Sequence, residues 1–300
     1  MKRELTTLLL IFSSIIIFSQ TQTTNVVYYN SAIKKPSDTV LISQSDLFFK
    51  EAKAKYAIKD FEGSFSALNK AIEIDSTNLK AIYHRGLLSF NEKKDYKSAI
   101  NDFSHGIRIK PEKAILYFMR GLSYSNLYNY MEARNNFSKA IQFDKDYLDA
   151  YFQRGFASTK LNERDSAIVD YDFIINYEGK NKETFKNLGI TYNNKAYSFV
   201  VSGKYKEALP LVNKALDLDN KDAHIWDTRG EIYYNLQEYK KCIKDMDKAI
   251  SIKELDNSYY IRGLANIKIG NKEEGCKNLT KASELGKKEA FEAIKTNCNK

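Results

Sequence analysis

Apolar and polar positions follow a helical rhythm along this chain, and the rhythm breaks at regular intervals. Between residues 114 and 147, Tyr117, Gly121 and Tyr124 recur at three- and four-residue steps. Asn129-Tyr130 interrupts them, and Ala133, Phe137, Ala140 and Ile141 resume the pattern. This spacing puts each set on one helix face, so the segment predicts two amphipathic helices joined by a short turn. The Gly and Ala positions mark close helix approach, and the aromatics fill the space beside them.

The phrase repeats along the chain. Arg-Gly stands at 85–86, 120–121, 154–155, 229–230 and 262–263, with steps of 35, 34, 75 and 33 residues. A small–aliphatic pair gives a second ruler: Ala71-Ile72, Gly106-Ile107, Ala140-Ile141, Ala215-Leu216 and Ala249-Ile250, with Ile174-Ile175 in the same slot. Both rulers give a period near 34, with one insertion of about seven residues between 175 and 215. Self-similarity of this length is the mark of a stacked-repeat architecture. Seven units follow: 45–78, 79–113, 114–147, 148–181, 189–222, 223–256 and 257–286. The insertion, Lys182 to Leu188, is expected to lengthen the first helix of the fifth unit. Pro210 falls in the opening turns of that unit's second helix, where a missing N–H costs little.

The repeat pattern resembles the tetratricopeptide repeat (TPR) family. Trp226, Gly230, Tyr233 and Tyr239 match the first half of its motif. Ala99, Phe103 and Pro111 match the second half, as do Ala133, Phe137 and Ala140. The resemblance covers about four-fifths of the chain. It implies an all-α fold: a right-handed α-solenoid of about seven helix-turn-helix units over 45–286, closed by a C-terminal capping helix over 287–300. It also implies a concave face built from the first helices, carrying Tyr83, Phe90, Phe118, Phe152, Phe156 and Tyr197 as protein-binding groove residues. Toward the later units that face turns more polar, with Asp227, Glu231 and Tyr260. The Lys and Asn set with which some TPR proteins clamp a C-terminal carboxylate is absent from the corresponding slots.

Both ends of the chain depart from the repeat. Residues 1–19 read as an export signal: Lys2 and Arg3 precede an apolar stretch from Leu8 to Phe18, and Ser19 is a small residue before Gln20. The alternative is an uncleaved anchor. No Cys near the end of the stretch invites lipoprotein attachment. Residues 20–44 are polar and read as a flexible lead segment. No later run is long and apolar enough to span a bilayer. The mature protein is therefore expected outside the cytoplasm, periplasmic or extracellular, where disulfides persist.

Composition adds two points. Gly and Pro number 13 and 3 in 300 residues, against 39 aromatics. So few turn formers exclude a sandwich or barrel of many short strands. Net charge is +9, carried by 47 Lys and Arg of which nine are Arg. Nucleic-acid surfaces draw on Arg for bidentate contacts, and five of the nine already precede the repeat Gly, so no nucleic-acid partner is expected.

Those five arginines form a ladder with acids or amides. Arg85, Arg120, Arg154, Arg229 and Arg262 are followed sixteen or seventeen residues later by Asp102, Asn136, Asp170, Asp245 and Asn278. The two units without the Arg carry Glu51 and Lys195 in its place, and Ala67 and Leu211 at the later slot. The two positions vary together, so each Arg is expected to reach the acid or amide of its own second helix or of an adjacent unit. The competing reading is a row of cationic ligand contacts.

Three cysteines remain. Cys242 takes the slot of Ala133 and Ala167 and reads as a small buried residue. Cys276 lies ten residues before Gly286 and Cys298 twelve after it. On an antiparallel hairpin they stand at similar heights, which predicts a Cys276–Cys298 disulfide tying down the end of the solenoid. Ala290, Phe291 and Ile294 give that terminal helix its apolar face.

No phosphate-cradling loop and no metal spacing of His or Cys is present, so no cofactor and no catalytic residue is expected. His84, His105 and His224 share no motif. The leading expectation is a non-catalytic exported scaffold for a protein or peptide partner. The alternatives are an envelope glycan-binding protein, because aromatic grooves also stack sugars, or an accessory subunit of an envelope enzyme.

Overall fold

The computed structural model describes residues 43–180 and 185–298. The expected signal and residues 20–42 of the lead segment lie outside the described residues, as do 181–184 and 299–300. The described residues form an all-α solenoid of helix pairs: α1 (Gln44–Ala57), α2 (Phe61–Ile74), α3 (Leu79–Asn91), α4 (Tyr96–Ile109), α5 (Ala114–Asn126), α6 (Tyr130–Phe143), α7 (Leu148–Lys160), α8 (Arg164–Lys180), α9 (Leu188–Val200), α10 (Tyr205–Leu218), α11 (Ala223–Asn235), α12 (Tyr239–Ile252), α13 (Asp256–Lys268), α14 (Lys272–Glu284) and α15 (Lys288–Asn297). No described helix is long and apolar enough to cross a membrane.

The chain divides into two compact units at Ala81–Ile82, inside the first turn of α3. The first contains the α1–α2 hairpin. Ala52, Ala67, Leu68, Ala71 and Ile72 form its core. Buried hydroxyls tie its ends: Ser45 Oγ donates to the Ala71 carbonyl at 2.8 Å, and Ser64 Oγ to the Ala52 carbonyl at 2.9 Å. The second unit contains the remaining repeats, in which consecutive helices pack against one another.

The scarcity of Gly has a local cause. The turn inside a repeat holds one residue in the left-handed region, and in five of these turns that residue is not Gly: Lys59, Lys94, Tyr128, Asn162 and Gln237, with φ between 52° and 65°. Only Gly203, Gly270 and Gly286 fill such positions with Gly. The Tyr128 turn shows what holds it. Tyr128 N–H donates to Ser125 O, and Asn129 N–H to Tyr124 O, both at 3.0 Å. These bonds satisfy the last carbonyls of α5. Asn129 then caps α6, as Asp60 caps α2 and Asp95 caps α4.

The Gly that is kept follows the repeat Arg and serves packing. A Cβ on Gly155 would stand 2.8 Å from the Tyr171 ring, and on Gly121 2.7 Å from the Phe137 ring. The bare backbone lets a large second-helix side chain seat directly against the first helix. Phe103, Phe137, Tyr171, Met246 and Leu279 fill this slot, each fully buried. The fifth repeat replaces Gly with Ala196 and correspondingly carries the smaller Val212, both at 0% exposure in one cluster.

One expectation is corrected. α9 has 13 residues, like the other first helices, so the insertion does not lengthen it. The extra length is in α8, which runs 17 residues where α6 and α10 have 14. Within its first fourteen residues the Tyr151 ring stacks on Phe173 at 3.9 Å, and Phe173 contacts Tyr177 at 6.1 Å. Pro210 lies within α10 in its second turn. The carbonyl it leaves without a donor belongs to Lys206, which is exposed, so water can serve it.

At the C-terminus, Cys276 and Cys298 are disulfide-bonded, with Cα atoms 5.8 Å apart. α15 buries Ala290 against the preceding hairpin, but Phe291, expected on its apolar face, is 56% exposed. A small contact plus a covalent tie holds this helix.

Candidate functional site

The repeat arginines are partly buried on the first helices. Arg85, Arg154 and Arg229 each grip the carboxylate sixteen or seventeen residues on with two nitrogens. For Arg154, Nε donates to Asp170 Oδ2 at 2.9 Å and Nη2 to Oδ1 at 2.6 Å. Arg85 Nε–Asp102 Oδ2 is 3.0 Å, and Arg229 Nε–Asp245 Oδ2 is 2.7 Å. Arg120 and Arg262 donate to Asn136 Oδ1 and Asn278 Oδ1, both at 2.7 Å. The amide nitrogens of those Asn residues turn back to Glu132 O and Glu274 O of their own helices.

A second link reaches the adjacent unit, at a position other than the paired slot. Arg120, Arg154, Arg229 and Arg262 also donate backward to the preceding second helix, at Ser104, Ser138, Asn213 and Asp247. Lys195 keeps only this backward link, to Asp172 at 2.5 Å. The acceptors stand two residues beyond the forward acid slot, and that recurring polar position is the signal in the sequence. Aromatic rings three residues before the Arg lie under four of the guanidiniums, with Trp226 4.8 Å from Arg229. Burial is the largest influence on both members of the Arg154–Asp170 pair. It pushes the Asp170 carboxyl up, whereas the paired bonds carry Arg154 above its usual value despite the burial. These arginines are consumed in joining helices and present no free cationic row.

The expected groove aromatics divide into packed and open sets. Tyr83 lies 6.0 Å from Phe103, and Phe90 5.3 Å from Tyr96. Phe118 sits 5.7 Å from Phe137 and 4.8 Å from Tyr147, and Phe152 contacts Tyr171 and Phe185. These four pack on second-helix or neighbouring rings and are half-buried. Phe156 also packs, 6.2 Å from the Tyr130 ring, and with the 41% exposed Tyr197 it lines a cleft of about 600 Å³.

The residues around that cleft are mostly of polar type. It gathers Phe156, Thr159 and Lys160 of α7, Tyr171 of α8, Asn193, Asn194 and Tyr197 of α9, His224, Asp227, Thr228 and Glu231 of α11, Asn257 of α13, and Lys287 before α15. Asp227 is held by two donors from α13: Asn257 Nδ2 at 2.9 Å and Ser258 Oγ at 2.5 Å. Glu231 stands one turn further along α11. Burial, then the neighbouring Asp227, raises the Glu231 carboxyl above the ordinary range, and Lys287 opposes this. Burial also raises Asp227 against the pull of Ser258 and Asn257. Lys287 Nζ donates to Asn257 Oδ1 at 3.0 Å and lies over the Tyr260 ring. Lys160 lies over Phe156. Asn193 is 8% exposed, and its Oδ1 accepts no hydrogen bond from the described residues.

Asn193, Asn257 and Lys287 were not singled out in the sequence. Asn193 occupies, two residues before the repeat cation, the slot that holds Tyr83, Phe118 and Phe152 in earlier units and Asp227 in the next. Reading that slot down the chain shows rings giving way to an amide and then a carboxylate. Cys242, at 0% exposure, is walled in, and burial pushes its thiol up to about 12.

The tetratricopeptide repeat family profile matches residues 114–147 and 223–254, the third and sixth units. No curated protein matches the sequence. Among solved structures, the chain is similar to a tetratricopeptide repeat protein from Parabacteroides merdae, at 17% identity and a TM-score of 0.65, covering 85% of this chain and 99% of that one. It is similar to PilW, a type IV pilus biogenesis factor, at 17% identity and TM-score 0.57, covering 70% and 94% of the two chains. It is similar to MamA at 20% identity and TM-score 0.54, covering 59% and 92%. At such identities the likeness is one of fold. With the profile matching two units and helix pairs of the same build filling the others, the chain is a tetratricopeptide repeat protein.

Proposed function

We propose that this protein is a non-catalytic scaffold that holds a segment of a partner protein on the first-helix face of α7, α9, α11 and α13. The observation that carries the reading is the cleft itself. Four successive first helices contribute to it, and it retains a buried unpartnered acceptor and two carboxylates one turn apart on α11. Packing alone does not favour such groups, because an unpaired buried acceptor and neighbouring like charges both cost stability. A photo-crosslinking residue in place of Tyr197 should trap a discrete partner, while one in place of the exposed Lys214 on α10 should not. Equal trapping at both positions, or trapping at Lys214 alone, would place the docking surface elsewhere.

We infer further that the protein works outside the cytoplasm. The reading rests on Lys2-Arg3 followed by the apolar stretch Leu8 to Phe18, and on a Cys276–Cys298 bond that persists only in an oxidising compartment. Cell fractionation, with non-reducing mass spectrometry of the 276–298 linkage, tests it. Recovery in the cytoplasm with free thiols would refute it.

A further inference from the structure

We propose that the cleft between α7, α9, α11 and α13 is a recognition pocket for one basic side chain of the partner, an ammonium or guanidinium group that donates to Asn193 Oδ1 and the Glu231 carboxylate. The inference deepens the scaffold reading above and rests on it.

The pocket's unmet needs select the guest. Asn193 Oδ1 is a buried acceptor without a donor. Asp227 already accepts from Asn257 and Ser258, which fix its position. Glu231 shares the Asn257 donor with Asp227 and feels the Asp227 charge beside it. An apolar guest would seal Asn193 Oδ1 away from water with no donor, and would take water from the Glu231 carboxylate, which is costly. An anionic guest would meet two carboxylates in a partly desolvated site. A neutral donor could serve Asn193 and would leave the paired charges uncompensated. A cation with several N–H groups satisfies both.

The resident cations do not already fill this role. Lys287 is committed to Asn257 Oδ1 and the Tyr260 ring, and Lys160 to the Phe156 ring. Together they leave both carboxylates raised, chiefly by burial. Tyr197, 41% exposed, gives the entrance a ring on which an incoming cation also gains. A cleft of about 600 Å³ is in the range that encloses a long side chain with part of its backbone.

General electrostatics runs against the preference, which makes it diagnostic. With a net charge of +9, the protein as a whole repels basic peptides. The test uses the full chain and four pools of random dodecapeptides whose central residue is fixed as Lys, Arg, norleucine or Glu. The Lys and Arg pools should be retained about tenfold or more above norleucine, the worth of one charge-assisted buried contact. Glu231→Gln, which preserves shape, should bring the Lys and Arg pools down to the norleucine level, and Asn193→Leu should weaken them several-fold. Glu207→Gln, on the exposed first turn of α10, should change nothing. Equal retention of Lys and norleucine pools, retention unaffected by Glu231→Gln, or retention of no pool would each overturn the pocket assignment. Crosslinking at Tyr197 judges the scaffold reading separately, so a trapped partner with no basic preference sinks only the pocket.

Discussion

The fourth and fifth repeats are neighbours of the same architecture, yet they differ at every linked slot. The fourth has Phe152, Arg154 and Gly155 on α7 against Asp170 and Tyr171 on α8. The fifth has Asn193, Lys195 and Ala196 on α9 against Leu211 and Val212 on α10. In the fourth, a two-point guanidinium–carboxylate pair buries an acid, and a bare Gly admits a whole tyrosine ring. In the fifth, methyl and isopropyl groups meet where Gly and ring met, and the cation reaches only backward to Asp172. The fold therefore requires complementarity within each pair of slots and not one particular residue in any of them. Relaxing the fifth unit also released a position on the open face, and Asn193 occupies it.

The sharpest way to break this comparison is to remove the cations. Arg154→Ala strands Asp170, whose side chain is 3% exposed, and should cost about 3–5 kcal/mol, toward the lower end because Arg154 itself is partly exposed. Lys195→Ala leaves only Asp172, 41% exposed, and should cost under about 1 kcal/mol. Urea unfolding followed by circular dichroism compares the two; equal losses would mean that the ladder carries no special weight. Replacing both partners, Arg154→Leu with Asp170→Leu, should recover most of the loss, because the fifth unit already works without a buried acid.

Reduction of Cys276–Cys298 should cost a similar amount, roughly 3 kcal/mol for a 22-residue span, concentrated in α15. It should add to the Arg154→Ala loss, since the sites share no contacts. A non-additive result would show coupling along the array.

Gly155→Ala comes next. Its methyl would stand 2.8 Å from the Tyr171 ring, and overpacking of this kind costs about 1–3 kcal/mol. The reverse change in the fifth unit, Ala196→Gly, should cost about 1 kcal/mol from helix propensity alone. Combining Gly155→Ala with Tyr171→Val should relieve the clash, and failure to do so would undo the size-matching argument.

The smallest effect is a pH dependence in the cleft. The folded-state pKa of Glu231 is raised above its ordinary value, so its contribution to stability is fully present below the ordinary carboxylate pKa and is lost as pH rises through the folded value. Glu231→Gln mimics the protonated form at every pH. Its melting temperature should exceed the parent's by a small margin at pH 7, and the margin should close near pH 4. Asp227, His224, Lys287 and Tyr197 surround this group, so Asp227→Asn should shrink the margin by removing the neighbouring charge. A margin that widens on acidification would reverse the sign of the argument.

Much of this arrangement is legible in the sequence. The 34-residue period, the two helices per unit and the joint variation of the Arg and Asp slots are all visible there, because contacts sixteen residues apart within a hairpin recur unit by unit. The aromatic face is only half legible. Tyr83, Phe118 and Phe152 have the spacing of groove residues, yet their rings pack on second-helix or neighbouring rings, and helical phase alone does not separate these fates. The insertion misled for a similar reason: length added between two repeats does not say which flanking helix takes it up, and α8, not α9, is the longer one.

By itself the sequence determined the repeat, its helices and its paired slots. All of these depend on contacts within one unit or on identity at a fixed phase. The tertiary structure alone decided that Asn193, Glu231, Asn257 and Lys287, drawn from separate units and from the cap, converge on one cleft. Convergence depends on how successive units stack, and stacking is a sum of many interface contacts that no single period records.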